Sequence, residues 1–169
     1  QRQMCIRDST STENIDSSLV VSSLATTHTL VSNTYDNTGA TVGAGSLTID
    51  FGTWSTTSSS NDTFTTNSDT AVTINTSAST TLNQLKDTIN NATDKAEATI
   101  LYNGTGYVLV IKGSGGATNE LRITPSDSSS SDLTNNFSYT TSTKNLTQTV
   151  DGSDASFTVD GISMTRETN

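Results

Sequence analysis

Leu47, Ile49 and Phe51 alternate with Thr48 and Asp50, and most apolar residues of the chain fall in short runs of this kind. A period of two sends successive side chains to opposite faces, which a half-buried strand requires and a helix cannot use. The runs are short because apolar residues are scarce. Leu, Ile, Val and Phe supply about a fifth of the 169 residues, whereas Ser and Thr supply roughly a third. Such an apolar content borders on the disordered range. The net charge of −9 is mild, however, and the apolar residues are clustered rather than diluted. The sequence therefore predicts a β-rich body with a thin core and long polar loops.

Residues 15–21 read as a strand, and Ser22 to Val31 fits either a short helix or a second strand. A strand over Gly45 to Gly52 precedes a Ser/Thr/Asn/Asp stretch at 53–70, which reads as a loop or a mobile hairpin, and Ala71 to Ile74 is a further short strand. One helix stands out. Thr81 and Gln84 have the spacing of a capping box, and Leu82, Leu85, Ile89 and Ala92 form one apolar stripe, so the helix runs from Thr81 to near Asn91. Ala96 to Tyr102 and Tyr107 to Lys112 form a hairpin around Asn103-Gly104-Thr105-Gly106. Glu120 to Thr124 is a strand expected to end at Pro125, the only proline; 126–136 reads as loop and 137–139 as a minor strand. Ala155 to Val159 and Ile162 to Thr165 make a hairpin around Asp160-Gly161. The fold class is α+β, mainly β: antiparallel strands with one short amphipathic helix, a ββαβββ core and extra strands at each end.

Composition excludes several function classes. Eight scattered basic residues in an acidic chain cannot neutralise a phosphate backbone, so no nucleic acid partner is expected. No apolar run approaches the roughly 20 residues that span a bilayer, so no membrane role is expected. The single cysteine, Cys5, lies in the octet 1–8, whose composition differs from all that follows. This octet resembles translated adapter sequence and is set aside as a non-native scar. The rest of the chain has no thiol to form a disulfide, and the chain reads as a fragment at both ends.

No catalytic, cofactor or metal site emerges. His28 is the only histidine, without a spaced partner, and its default place is the surface or a boundary. Asp151-Gly-Ser-Asp154 with Asp160 lacks the twelve-residue calcium loop and its bidentate Glu, and reads as two Asp-Gly turns. The serines lack a base and an orienting acid, and no Gly-x-Ser-x-Gly elbow is present. Six Asn-x-Ser/Thr sequons match what chance gives at this Ser/Thr content. Trp54 and Phe64 stand apart. Aromatics in a polar stretch are either core plugs, the favoured reading, or protein contacts, which makes this pair the candidate contact site.

Three segments together carry a family resemblance. Thr81-Leu-Asn-Gln-Leu-Lys-Asp-Thr-Ile-Asn90 with Ala98-Thr-Ile-Leu-Tyr-Asn-Gly-Thr-Gly-Tyr-Val-Leu-Val-Ile111 resembles the flagellin hook IN motif. Ser23-Leu-Ala-Thr-Thr-His-Thr-Leu30, followed by Gly43-Ala-Gly45-Ser-Leu-Thr-Ile49, is similar to the lead-in of filament cap proteins. Asp154-Ala-Ser-Phe-Thr-Val-Asp-Gly-Ile-Ser-Met-Thr-Arg166 resembles the hairpin that follows in that family. In order and spacing they resemble the outer region of the hook-associated protein 2 family, without its coiled-coil legs.

The resemblance implies an assembly protein with no cofactor, exported to the tip of the bacterial flagellum. There it would form a ring-like homo-oligomer that promotes flagellin polymerisation and prevents flagellin loss, with host surface glycans or proteins as further partners. Another hook-associated or flagellin outer domain, or a secreted adhesin-type β module, are the alternatives. The division expected is 9–38 and 146–169 as parts of an inner β domain, with 39–145 inserted as a second β domain. Because ring formation would rest on the missing legs, this chain alone is expected to be monomeric at micromolar concentration.

Overall fold

The computed structural model describes residues 17–56 and 62–169. The octet 1–8, Ile15 and the centre of the 53–70 stretch lie outside the described residues. The described elements are eleven strands and two helices. In chain order they are β1 (Leu19–Ser23), β2 (Thr27–Val31), β3 (Gly45–Thr56), β4 (Asp62–Thr66), β5 (Val72–Thr76), α1 (Leu82–Ala92), β6 (Ala96–Tyr102), β7 (Tyr107–Gly115), β8 (Glu120–Asp127), α2 (Asp132–Phe137), β9 (Thr147–Val150), β10 (Ala155–Val159) and β11 (Ile162–Arg166).

Every strand pair is antiparallel. One sheet has the order β6-β7-β2-β9. In a second, β3 pairs with β5 and then β4 along one edge and with β8 along the other. A small third sheet has the order β1-β10-β11. The first two share one core. Leu47, Ile49 and Phe51 of β3 meet Leu109 and Ile111 of β7, Leu121 and Ile123 of β8, and Leu82, Leu85 and Ile89 of α1, all at most 2% exposed. α1 packs on β5 and β6, one strand from each sheet, and α2 on β3 and β8.

Local chemistry explains the elements that the sequence announces. Thr81 Oγ1 accepts from Gln84 N–H at 3.2 Å and Gln84 Oε1 accepts from Thr81 N–H at 2.9 Å, closing a capping box. Thr81→Ala is therefore expected to cost about 1 kcal/mol, measured as a lower urea midpoint with an unchanged slope. The stripe buries Leu82, Leu85 and Ile89, while Ala92 is already exposed where the helix ends. Tyr107 to Ile111 alternates with nothing because β7 is an interior strand, and Val108 to Ile111 is buried on both faces. Asp160 and Gly161 adopt φ of 51° and 82°, the positive pair of a two-residue hairpin turn that matches strand twist. The Asp160 carboxylate accepts from Ser18 N–H and the Ser17 hydroxyl, which holds its pKa below the ordinary carboxylate value.

Other segments differ from the sequence expectation. Of the two readings of Ser22 to Val31 the strand is the one present: β2 occupies its second half, between β7 and β9. β3 continues to Thr56 and pairs with β4, so of the loop and hairpin readings of 53–70 the described residues up to Thr66 take the hairpin. Pro125 does not end β8, which continues to Asp127. Ile123 exchanges two backbone hydrogen bonds with Tyr139 on the side away from β3, so Pro125, two residues on, also turns its missing N–H outward and costs no ladder bond. The expected loop at 126–136 contains α2, whose first turn is capped from outside by Asp127, accepting from Leu133 and Thr134 N–H groups. Tyr139 makes only isolated bridges, to Ile123 and Lys144, in place of the expected minor strand.

Candidate contact surfaces

Trp54 and Phe64 face each other across the β3–β4 pair, with ring centroids 4.9 Å apart. Both are half-buried, and Trp54 packs against the main core. Its indole N–H donates to Leu121 O at 2.9 Å, and Tyr139 meets it edge-on at 5.2 Å. Two cations complete the cluster. Lys144 lies 4.8 Å from the Trp54 ring centre and pairs with Asp62, while Arg122 lies 4.9 Å from that of Phe64 and pairs with Asp50 at 3.1 Å. Sequence reasoning named the two aromatics but not Arg122, Tyr139 or Lys144. These come from distant segments with no pattern pointing to the pair.

Beside this cluster is a groove of about 240 Å³ lined by Trp54, Glu120, Tyr139, Lys144, Gln148 and Asp151 among others. Glu120 is 6% exposed, and its carboxylate accepts from Trp54 N–H at 2.6 Å and Gly152 N–H at 3.3 Å. Burial pushes its pKa up against the pull of those two bonds. Tyr139 OH donates to Gln148 Oε1, and Gln148 donates to Asp151. Burial also raises the Tyr139 hydroxyl to about 12.

His28 is fully buried, not a surface or boundary residue. β2 is an interior strand of its sheet, and the imidazole fills space beside Tyr139 at 5.6 Å between ring centres. Its Nδ1 accepts from Leu121 N–H at 3.0 Å, and burial lowers its pKa to about 4. Asp154 and Asp151 tie segments together, the first through its carboxylate and the second through its main-chain carbonyl. Asp154 accepts from Ala117 N–H at 2.8 Å, and Asp151 O accepts from the Thr26 hydroxyl at 2.6 Å. Among the described residues no three His, Cys, Asp or Glu side chains converge on one point.

A third surface follows from strand register alone. Directly opposed residues share a face, and Leu19, Val159 and Ile162 form one row of the small sheet, with Val21, Phe157 and Met164 the next. The opposite face carries Val20, Thr158 and Ser163, then Ser156 and Thr165. One side of this sheet is thus apolar over these two rows, ends at the Ala155–Arg166 pair, and is open, with Leu19 63% and Ile162 64% exposed.

A small three-stranded sheet beside a larger β body with a capped helix is an arrangement this chain shares with solved outer domains of bacterial flagellar cap proteins. Among solved structures, the chain is similar to the D2–D3 domains of the flagellar cap protein FliD from Serratia marcescens: 27% identity over 90% of this chain and 78% of that one, with a TM-score of 0.74. It is also similar to FliD D1-D2-D3 from Escherichia coli, at 24% identity and a TM-score of 0.72, covering 90% of this chain and 43% of that one. FliD (HAP2) from Pseudomonas aeruginosa PAO1 shares the fold at 22% identity and a TM-score of 0.66, over 90% of this chain and 66% of that one. No family model and no curated protein matches the sequence. The chain therefore spans less than half of the Escherichia coli structure.

The three segments that carried the sequence resemblance are α1 with the β6–β7 hairpin, the approach to β3, and the β10–β11 hairpin.

Proposed function

We propose that this chain is the outer part of a flagellar filament cap and that it acts by assembly, without catalysis. The observation that carries the proposal is the shared fold with a FliD D2–D3 unit over 90% of the chain at 27% identity. In this reading the intact protein sits outside the cell at the filament tip, associates with copies of itself, and receives flagellin subunits. Host glycans or proteins are further partners of its exposed surface. Acids that an enzyme would aim at a substrate are spent here on backbone N–H groups, as with Glu120, Asp127 and Asp154. A strain deleted for the intact gene is expected to lose long filaments and shed unpolymerised flagellin into the medium. Filaments of normal length in that strain would overturn the proposal.

The proposal divides the chain at 25/26 and 153/154 rather than at 38/39 and 145/146. β2 and β9 hydrogen-bond to each other, and β2 also to β7, so both strands go with the inserted body. The smaller body then consists of β1, β10 and β11, joined to the larger where Asp154 accepts from Ala117 N–H at 2.8 Å and Glu167 accepts from the Thr118 hydroxyl at 2.7 Å. Its open apolar face measures on the order of a few hundred Å². A stable protein–protein interface takes about 800 Å² per partner, so this face alone does not hold a dimer. The 169-residue chain is accordingly expected to scatter light as a monomer at micromolar concentration, and a stable pentamer or hexamer would refute that. Of the aromatic pair, the proposal gives Trp54 the packing role and keeps Phe64 as the protein-contact residue.

A further inference from the structure

β2 and β8 belong to different sheets, and one of the bonds that join them runs through a histidine. Leu121 N–H donates to Nδ1 of His28 at 3.0 Å, and both residues are fully buried. A neutral imidazole that accepts at Nδ1 must hold its proton at Nε2. That Nε2 has no hydrogen-bond partner. A second proton can therefore enter only at Nδ1, where it turns the acceptor into a donor aimed at the Leu121 N–H.

The surroundings come from several segments. Tyr139 stacks at a tilt 5.6 Å away, and Gln148 of β9 lies on the imidazole's polar side. Asp151 favours the charged ring, Lys144 opposes it, and burial outweighs both. Glu120, next to Leu121 on β8, is the remaining buried acid, tied to Trp54 and Gly152 N–H groups. The same few residues form the root of the small sheet. Thr26, two residues before His28, binds Asp151 and Ser153, and Asp154 binds Ala117, three residues before Glu120.

We propose that His28 is an acid-operated latch between the two sheets: protonation at Nδ1 breaks the bond to Leu121 and loosens the root that carries the small sheet. The proton comes from solvent, and no other covalent change is needed. With a folded pKa below the unfolded value, the stabilising contribution of neutral His28 is complete above pH 6.5 and declines as the pH falls toward about 4. Across that window the unfolded chain binds a proton that the folded chain refuses.

The test compares the wild-type chain with His28→Gln, whose side chain stays neutral and still offers an oxygen to Leu121 N–H. Between pH 7 and pH 4, urea unfolding is expected to show the wild type losing roughly 100-fold more in folding equilibrium constant than the variant, the factor given by a fall from 6.5 to about 4 when the imidazole is half-protonated in the folded chain at pH 4. Equal losses in the two proteins would overturn the latch. Should His28→Gln not fold, nitrogen NMR of the wild type decides. Expected are an Nε2–H tautomer at pH 7, and Leu121 amide protection that disappears together with imidazole titration well below 6.5. An imidazole titrating near 6.5, or Leu121 protection indifferent to it, would sink the proposal.

Discussion

Gly45→Ala is expected to destabilise the larger body by at least about 4 kcal/mol, a large share of the total stability of a small β protein. Gly45 opens β3 where that strand is paired on both edges, with Thr76 on β5 and Asp127 on β8. Its φ is 151°, a conformation that side-chain-bearing residues rarely adopt. A Cβ there would stand 2.1 Å from Ser126 O and 3.0 Å from both the Asp127 Cα and the Leu133 side chain. Two of those neighbours are backbone and cannot swing aside. Relief would require β8 to withdraw from β3, and Asp127, which caps α2, would move with it. The strain of the backbone conformation adds about 1–3 kcal/mol to the clash. Urea unfolding followed through Trp54, the only tryptophan, provides the measurement. A midpoint within about 0.5 M of wild type would mean that the strand pair yields cheaply and that the close approach at Gly45 carries little of the stability.

The same glycine shows why part of this fold was legible in the sequence. Gly43-Ala-Gly45-Ser-Leu-Thr-Ile49 announces a strand through its alternation, and the two glycines mark a close approach of backbone. Signals of this kind are local: the Thr81–Gln84 box, the Asp160-Gly161 turn and the 82-85-89 stripe each depend on residues a few positions apart. What escaped depends on partners far along the chain. α2 lies in a Ser/Asp run whose cap is Asp127 rather than the residue just before the helix. β9 is Thr-Gln-Thr-Val, too polar to advertise a strand, and exists because β2 offers it an edge. Burial of His28 could not be read from its neighbours in sequence, since its acceptor role is fixed by Leu121, 93 residues away. The contact candidates were half legible: aromatic chemistry marked Trp54 and Phe64, but only the folded chain supplies Tyr139, Lys144 and Arg122 around them.

Trp54→Ala is expected to cost about 3 kcal/mol, near the low end for deleting a large aromatic side chain because the indole is only half-buried. Three losses add up in that substitution. The ring leaves the core margin and its edge contact with Tyr139, the indole N–H bond to Leu121 O disappears, and Lys144 loses the ring face beneath its ammonium. Leu121 O is left in a buried strand without that donor, which carries a desolvation cost beyond the lost area. Phe64→Ala should cost less, about 1–2 kcal/mol, since Phe64 lies outside the main core cluster. Because the two rings meet at 4.9 Å, the double variant should fall short of the sum of the singles by about 1 kcal/mol. Circular dichroism must follow these melts, as the fluorophore itself is removed. If Trp54 were chiefly a surface for a partner, its removal would leave stability within about 0.5 kcal/mol of wild type. A loss near 3 kcal/mol makes it the wedge that seats the β3–β4 hairpin on β8, and leaves Phe64, with Arg122 over its ring, as the residue of the pair free to meet another protein.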